Sequence, residues 1–302
     1  MEKVTWIVGS SFCGSSLMNL LLDSQPTIRG LGEGSQIYFR NPDPSSFPQR
    51  LAGGPCARCK SVVADCSLYR EYRGQPFYRF NFDHYGCRVL VDSSKSPVML
   101  RSKPLEADFS YFALVLSKTP HEAAYSWRQH AVWDTWSVRA TELATVKTGF
   151  AEYIEIYRDY LKQLAGPPRP RVATVHYADL ARDPVQTVRR VCAFLDEPFS
   201  IDRLLGDWRQ TDTHILGGNP AIIAQVSGDD SLAFAVPPAR YLDGKYADKA
   251  GHIFYDERWR RDAAFVEDCH REYRRREADL RPLLERLGYE FDVLVAELDA
   301  AS

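Results

Sequence analysis

A loop rich in glycine and serine follows the first apolar run of the chain. The run is Val4 to Val8, the loop reads Gly9-Ser-Ser-Phe-Cys-Gly14-Ser-Ser, and a helical pattern begins near Leu17. Backbone N–H groups of such a loop, with the positive end of the helix dipole, can bind an anion, although a plain strand-to-helix turn has a similar composition. The glycines are spaced as in G-x-x-x-x-G-K-[ST], but Ser15 replaces the lysine. Because nucleoside triphosphatases need that lysine at the β and γ phosphates, ATP or GTP chemistry is disfavoured and a less charged transferred group fits better.

Two lysines follow further apolar runs. The run over 89–91 leads to Asp92-Ser-Ser-Lys95, and the run over 114–116 leads to Ser117-Lys118. Either lysine alone has a plain alternative, a solvated surface charge. Ser126 lies eight residues after Lys118, across a predicted helix start at Pro120, so this charge and this hydroxyl could meet at a second phosphate. In an open parallel sheet, ligands bind beyond the carboxyl ends of the strands, so the motifs predict a ligand with two separated anionic groups at that edge.

The elements that must position these residues alternate along the chain. Short buried strands are predicted over 4–8, 88–91, 111–116 and 171–175, and helical patterns over 17–24, 124–131 and 150–164. A further helix is predicted to begin at Pro184 with Asp183 as its N-cap, and another to end near Leu287 before Gly288. Alternating strands and helices favour an α/β fold with a central parallel sheet that helices flank on both faces.

Length and composition fit one sizeable domain. We expect a single domain over residues 1–302 with two irregular segments, a Cys-, Pro- and Gly-rich insert over 40–86 and an acceptor-site loop or lid over 220–252. With 45% hydrophobic and 26% charged residues, the chain is not disordered, collagen-like or a disulfide scaffold. The formal net charge of −2 provides no global field for nucleic acid or an anionic membrane. The uncharged stretch over 4–22 is too polar to span a bilayer, so no membrane partner is expected.

Seven cysteines at low density favour a reducing, cytoplasmic location. Cys56 and Cys59 have zinc-like C-x-x-C spacing, but the spacing to Cys66 and Cys87 fits no common zinc module. A structural zinc, a local disulfide and free thiols therefore all stay open for these four residues. No metal-binding residue is assigned and no catalytic metal is expected.

Other side chains are candidates for the chemistry itself. Glu33 follows Gly32 and, if it faces a cleft beside Lys95, could accept a proton from an acceptor hydroxyl or amine. His214 is the histidine that we place near the site as a candidate catalytic residue, with a structural role equally open. The segment Trp133-Asp134-Thr-Trp136 could form an aromatic, acidic pocket that favours a cationic acceptor.

These motifs together resemble the sulfotransferases that use 3′-phosphoadenosine 5′-phosphosulfate (PAPS). In that family a loop of the form [KR]-S-G-[ST]-[ST]-L binds the 5′-phosphosulfate, and Phe12-Cys-Gly-Ser-Ser-Leu17 is similar to it. An R-x₇-S pattern binds the 3′-phosphate, and Lys118 and Ser126 occupy its two positions. The resemblance therefore implies that the donor nucleotide is bound by Ser11, Phe12, Cys13, Gly14, Ser15, Ser16, Lys118 and Ser126.

Further motifs are similar to those of tyrosylprotein and bacterial small-molecule sulfotransferases. The stretch from Gly14 to Glu33 resembles theirs, which implies that Glu33 is the catalytic base and that Lys95 stabilises the bridging oxygen of the donor. His176-Tyr177-Ala-Asp-Leu resembles the family's Y-x-D-L. The segment over 214–220, with the segment over 256–260, resembles its C-terminal signature. These last two resemblances imply donor-binding roles for Tyr177, Gly218 and Asn219.

The resemblance implies a three-layer P-loop-like fold and an in-line transfer of a sulfuryl group from PAPS to a hydroxyl or amine of a small-molecule acceptor. The segment over 133–136 keeps a cationic acceptor among the candidates. Phe12 stands where the family has Lys or Arg, and Lys118 stands where it has Arg. Two alternatives stay open. A P-loop small-molecule kinase would need Mg²⁺ and a nucleoside triphosphate, and a nucleotide-binding pseudoenzyme would bind adenosine 3′,5′-bisphosphate without turnover. The acceptor and the oligomeric state are not predicted.

Overall fold

A five-stranded parallel sheet forms the centre of the fold. The computed structural model describes residues 1–38, 55–56, 58–59, 61–62, 65–95, 97–131, 145–205, 212–216 and 255–301. The sheet consists of β1 (Lys3–Gly9), β2 (Ile28–Gly32), β5 (Val89–Asp92), β6 (Ser110–Ser117) and β7 (Arg171–His176). Its strand order is β2-β5-β1-β6-β7, with every neighbouring pair parallel. A separate antiparallel hairpin pairs β3 (Pro55–Cys56) with β4 (Ser61–Val62).

Helices cover both faces of this sheet. They are α1 (Ser15–Asp23), α2 (Ser35–Tyr38), α3 (Phe77–Tyr85), α4 (Pro97–Arg101), α5 (Pro120–Ala131), α6 (Val146–Leu164), α7 (Tyr177–Arg182), α8 (Pro184–Phe194), α9 (Ile201–Leu205), α10 (Ala263–Arg275), α11 (Glu277–Arg286) and α12 (Phe291–Asp299). In the parts of the chain that the structure describes, no helix has both the length and the apolar character to cross a bilayer.

Alternation along β1 divides the core in two. Trp6 and Val8 join a large cluster with the aromatic faces of α3 and α6, whereas Ile7 joins a second cluster with α1 and α8. Successive side chains of a strand point to opposite faces of the sheet, so one strand supplies both cores. The predicted α/β fold, with a central parallel sheet between helical layers, is confirmed.

The predicted elements lie close to the observed ones, and two segments differ. The Asp183 side chain accepts a hydrogen bond of 2.9 Å from the Gln186 N–H at the start of α8, as an N-cap should. Strand β2 was not predicted, because two of its five residues are glycines and its apolar content is low. The insert over 40–86 is also less irregular than expected, since residues 77–85 form α3 and bury Phe77 and Phe82. The predicted loop or lid over 220–252 lies outside the described residues.

A buried ion pair lies beneath the end of β5. Lys103 Nζ is 2.8 Å from Asp92 Oδ2, and both side chains are 0% exposed. Tyr78 Oη donates to the same carboxylate at 2.8 Å, and the Trp6 indole N–H donates to that phenol oxygen at 3.2 Å. Burial would raise the pKa of Asp92, but Lys103 and hydrogen bonds from Ser94 hold that pKa below its ordinary value. The pair therefore keeps an ionised carboxylate at the root of the loop that follows β5.

Removal of one partner from this pair should be costly. We expect Lys103→Met to lower the free energy of unfolding by about 3 kcal/mol or more, because it leaves the Asp92 carboxylate buried and uncompensated. The matched control is Arg158→Met, which removes the half-exposed Arg158–Asp279 pair and should cost less than about 1 kcal/mol. Urea unfolding of both variants measures the difference, and equal losses would contradict the assignment.

Candidate active site

Four segments with polar side chains meet at one edge of the sheet. Strands β1, β2, β5 and β6 are parallel, so their carboxyl ends lie side by side. From these ends emerge the loop over 9–16, Glu33, Lys95 and Lys118. The convergence predicted for the loop and the two lysines is confirmed, and β2 adds Glu33 to the same edge.

The loop over 9–16 is tightly folded around its glycines. Gly14 has a φ of +94°, and a Cβ at this position would lie 2.5 Å from Cδ2 of Tyr177. A Cβ on Gly9 would lie 2.4 Å from the carbonyl oxygen of Leu116. Helix α1 then begins at Ser15 without a side-chain N-cap. Its first N–H groups have no acceptor within the helix, so this end of the loop can donate to an anion.

Three tyrosines of α6 form hydrogen bonds with the backbone at the ends of β1 and β6. Tyr157 Oη donates to the Leu116 carbonyl at 2.7 Å and accepts from the Ser10 N–H at 3.3 Å. Tyr160 Oη donates to the Gly9 carbonyl at 3.2 Å, and Tyr153 Oη donates to the Lys118 carbonyl at 3.1 Å. The side chains lie on one helix face because they recur at intervals of four and three residues. Sequence analysis predicted the helix over 150–164 but missed the role of these hydroxyls. A buried tyrosine hydroxyl needs a hydrogen-bond partner, and this need was the signal that could have identified them.

Lys118 and Ser126 are in direct contact. Lys118 Nζ donates to Ser126 Oγ at 3.0 Å and lies 4.5 Å from the centre of the Tyr177 ring. Only 8% of Lys118 is exposed. Burial lowers the pKa of Lys118, and the nearby carboxylates of Glu122 and Asp256 oppose that shift. The pair predicted from an eight-residue separation therefore exists, with the Tyr177 ring packed against both Lys118 and Gly14.

Lys95 and Glu33 form the second polar pair. Lys95 Nζ is 3.3 Å from Glu33 Oε1, with 17% and 29% of the two side chains exposed. Lys95 is positioned by the turn after β5, in which the Ser94 N–H donates to Asp92 Oδ1 at 2.9 Å. Glu33 does lie beside Lys95, which was the condition for its candidate role as a proton acceptor, and both side chains are partly exposed.

Backbone contacts on both sides of β2 position Glu33. Asn19 Oδ1 accepts from the Gly32 N–H at 3.3 Å, and Asp23 Oδ1 accepts from the Gly30 N–H at 2.8 Å. On its outer side, the Glu33 N–H donates to the Leu216 carbonyl at 2.6 Å, and the Leu216 N–H donates to the Leu31 carbonyl at 2.9 Å. Strand β2 has a low intrinsic strand propensity because two of its five residues are glycines. The hydrogen bonds to Asn19 and Asp23 stabilise it.

The His214 ring contacts a cysteine cluster. Its Nδ1 is 3.5 Å from Cys56 Sγ, 3.4 Å from Cys59 Sγ and 3.2 Å from Cys66 Sγ. Of the two roles left open for His214, these contacts support the structural one over the catalytic one. The sequence grouped Cys87 with the other three cysteines. In the structure the fourth member of the cluster is His214, and Cys87 lies outside it.

The remaining candidates divide by position. Ser11 is exposed, Phe12 and Ser16 are partly buried, and Cys13 and Ser15 are buried within the loop. Burial raises the pKa of the Cys13 thiol, while Lys95 and Lys118 oppose that shift, so the centre of the loop lies within the field of both cations. Several candidates lie outside the described residues, namely Gly218, Asn219 and the segment with Trp133, Asp134 and Trp136.

Comparison with known proteins agrees with this fold. A central parallel sheet with a glycine- and serine-rich loop at its carboxyl edge defines a P-loop-like α/β protein. Residues 118–201 match the model of the sulfotransferase family. The sulfotransferase resemblance predicted from the motifs is thereby confirmed.

A solved sulfotransferase domain shares this architecture. The sulfotransferase domain from the curacin biosynthetic pathway is 18% identical with a TM-score of 0.53, and the match covers 96% of this chain and 99% of that one. A sulfotransferase from Alicyclobacillus acidocaldarius is 17% identical with a TM-score of 0.46, and the match covers 96% and 97% of the two chains. No protein of curated function matches the sequence.

The hydroxyl of Tyr157 should make a measurable contribution to the free energy of unfolding. We expect Tyr157→Phe to lower the free energy of unfolding by about 1–3 kcal/mol, because the Ser10 N–H loses its acceptor in a buried place. Tyr125→Phe is the matched control, since this tyrosine is also buried and no hydrogen bond of its hydroxyl is found among the described residues. Urea unfolding decides the matter, and an equal loss in both variants would remove the supporting role from Tyr157.

Proposed function

We propose that this protein transfers a sulfuryl group from PAPS to a hydroxyl or amine of a small-molecule acceptor. The observation that carries the proposal is the presence of three features at one sheet edge: the loop over 9–16, the Lys118–Ser126 pair and the Lys95–Glu33 pair. The family match over 118–201 supports it independently, because that segment contains both Lys118 and Ser126.

The donor would use two anion-binding positions. The N–H groups from Cys13 to Ser16, at the start of α1, would bind the 5′-phosphate end. Lys118 Nζ and Ser126 Oγ would bind the 3′-phosphate. Burial lowers the pKa of Lys118, and a phosphate beside Nζ would oppose that shift because it favours the charged form. This polar pair within a buried environment is what a bound dianion would require.

The transfer would need one proton acceptor and one cation. The acceptor oxygen or nitrogen would attack sulfur and lose its proton to Glu33, while the bond from sulfur to the bridging oxygen breaks. The electron pair of that bond goes to the leaving adenosine 3′,5′-bisphosphate, and Lys95 would stabilise the charge that develops on it. Since Glu33 and Lys95 are already in contact, both groups would be positioned before the acceptor arrives.

Phe12 departs from the family pattern at the loop. It has a φ of 63° and packs in part against the large core cluster. Lys95 and Lys118 both act electrostatically on the neighbouring Cys13, so two cations flank the loop without one at position 12. A sulfuryl group carries less charge than a phosphoryl group, so these cations and the loop N–H groups can balance it.

The absence of a cation at position 12 also favours a second candidate, a pseudoenzyme that binds the nucleotide and transfers nothing. Nucleotide binding would be the same in both cases, so only turnover separates them. Ser15 in place of the motif lysine argues against a kinase, and independence from Mg²⁺ and nucleoside triphosphate would exclude it.

Lys118 should determine which nucleotide binds. We expect the wild-type chain to bind adenosine 3′,5′-bisphosphate much more tightly than 5′-AMP. Lys118→Ala should reduce the ratio of these two affinities about thirtyfold. This corresponds to the loss of about 2 kcal/mol from one charged hydrogen bond. Isothermal titration calorimetry measures both affinities, and Lys162→Ala on the exposed side of α6 is the control. An unchanged ratio in Lys118→Ala would refute the 3′-phosphate position.

Glu33 should affect transfer and leave donor binding intact. We expect Glu33→Gln to bind adenosine 3′,5′-bisphosphate as the wild type does and to transfer sulfate roughly a hundredfold more slowly, the scale of a general base. The assay follows radiolabelled sulfate from PAPS to a panel of phenols and amines that includes the cationic phenol tyramine. Glu155→Gln, an exposed residue of α6, is the control.

Three results bear on this prediction. Near-normal transfer by Glu33→Gln would exclude Glu33 as the base. A wild-type chain that binds the bisphosphate but transfers to no member of the panel would favour the pseudoenzyme. Transfer from PAPS that is lost only in Glu33→Gln would support the proposed reaction.

A further inference from the structure

We infer that Cys56, Cys59, Cys66 and His214 form a structural zinc site. The three sulfurs and His214 Nδ1 all lie within 4.8 Å of one another. Cys56, Cys66 and His214 are buried, and Cys59 is partly buried. Three cysteines and one histidine are a ligand set that structural zinc sites use.

The distances within the cluster fit a tetrahedral ion. Zinc bonds of about 2.3 Å to sulfur and about 2.0 Å to nitrogen give tetrahedral edges of about 3.8 Å between sulfurs and about 3.5 Å between sulfur and nitrogen. Cys66 Sγ is 3.6 Å from Cys56 Sγ and 3.7 Å from Cys59 Sγ. His214 Nδ1 is 3.2–3.5 Å from the three sulfurs. Five of the six edges thus match the separations that one shared zinc ion requires, and the sixth, between Cys56 Sγ and Cys59 Sγ, is below 4.8 Å.

The same distances argue against a disulfide. A disulfide needs sulfurs about 2.05 Å apart, and all three cysteines are free thiols here. A disulfide between any two of them would also not account for the position of the third thiol and the His214 imidazole in the same cluster. Soft thiolate ligands favour zinc over magnesium or calcium.

The surroundings of the cluster orient its ligands. The Cys59 N–H points to Cys56 Sγ at 3.5 Å, and the Ser67 N–H points to Cys59 Sγ at 3.4 Å. Backbone donors of this kind stabilise thiolates in metal sites. The His214 N–H donates to Tyr85 Oη at 2.9 Å, which fixes the backbone of the histidine at the end of α3.

The site would join two parts of the chain that are far apart in sequence. Cys66 and His214 are separated by 148 positions. Leu216, two residues after the histidine, forms bridges to Cys56 and to Gly32, and its carbonyl accepts from the Glu33 N–H. A zinc ion would therefore fix the backbone segment against which Glu33 is held. Zinc binding itself does not depend on the proposed function, whereas its consequence for catalysis rests on it.

Metal analysis of the full chain tests the site directly. We expect the protein purified without chelator to contain about one zinc ion per chain, as measured by inductively coupled plasma mass spectrometry. After reduction and removal of zinc, the same chain should take up Co²⁺ and show thiolate-to-cobalt charge-transfer bands with the intense visible bands of tetrahedral cobalt. A folded, reduced chain that contains no zinc and takes up no cobalt would overturn the proposal. A disulfide among Cys56, Cys59 and Cys66 in the purified protein would also overturn it.

Variants assign the ligands. We expect His214→Ala to lose stoichiometric zinc, and His214→Cys to retain it with a stronger charge-transfer band in the cobalt form, because a fourth thiolate replaces the imidazole. Cys87→Ser is the matched control and should keep both the zinc and the wild-type spectrum. Loss of zinc in Cys87→Ser, or an unchanged cobalt spectrum in His214→Cys, would contradict the ligand set. The wild-type cobalt spectrum decides the question if His214→Ala does not fold.

Hydrogen exchange tests the link to Glu33 without an activity assay. We expect removal of zinc to speed exchange at the Glu33 and Leu216 amides, while amides between β1 and β6 remain protected. Unchanged protection at both amides would show that the metal does not position this segment. Zinc binding in a chain without sulfuryl transfer would refute only the proposed function, and transfer by a chain that binds no metal would refute only the zinc site.

Discussion

The parallel pairing of β1 with both β5 and β6 is the constraint on which the site depends. Each strand of the sheet ends at the same edge, so the residues that follow β1, β5 and β6 must lie close together. The phenol of Tyr157 reinforces this arrangement, because its hydrogen bonds with Ser10 and Leu116 join the loop after β1 to the end of β6. Short strands thereby hold the loop over 9–16 and two lysines in fixed relation.

Several charged side chains at this edge of the sheet contact one another or a common turn. The fully buried Asp92–Lys103 pair anchors the turn that carries Lys95, and Lys95 in turn contacts Glu33. Lys118 lies on the other side of the loop, against the Tyr177 ring and Ser126. The two cations flank the buried Cys13. Under the proposed function, they would stabilise developing charge without a cation at position 12, because their positions are already fixed by the fold.

Sequence reasoning succeeded where the signal is local. The glycine and serine loop, the eight-residue step from Lys118 to Ser126, and the Asp183 cap each depend on neighbours in the chain, and each appears as predicted. Strand β2 could not be predicted, because Asn19 and Asp23 of α1 stabilise it from outside its own sequence.

The cysteine cluster shows the same limit more clearly. C-x-x-C spacing left zinc, a disulfide and free thiols all open, because the fourth member of the cluster is His214, far along the chain, and no periodicity connects it to Cys56. The hydroxyls of Tyr153, Tyr157 and Tyr160 were likewise hidden, because apolar periodicity identifies the buried face of a helix and not the partners of its polar atoms.

A crystal structure of the full chain with adenosine 3′,5′-bisphosphate tests the central claim most directly. The account predicts that the 3′-phosphate lies within hydrogen-bond distance of Lys118 Nζ and Ser126 Oγ. It also predicts that the 5′-phosphate accepts hydrogen bonds from the N–H groups between Cys13 and Ser16. A nucleotide bound away from this edge, or a 3′-phosphate directed into solvent, would contradict it.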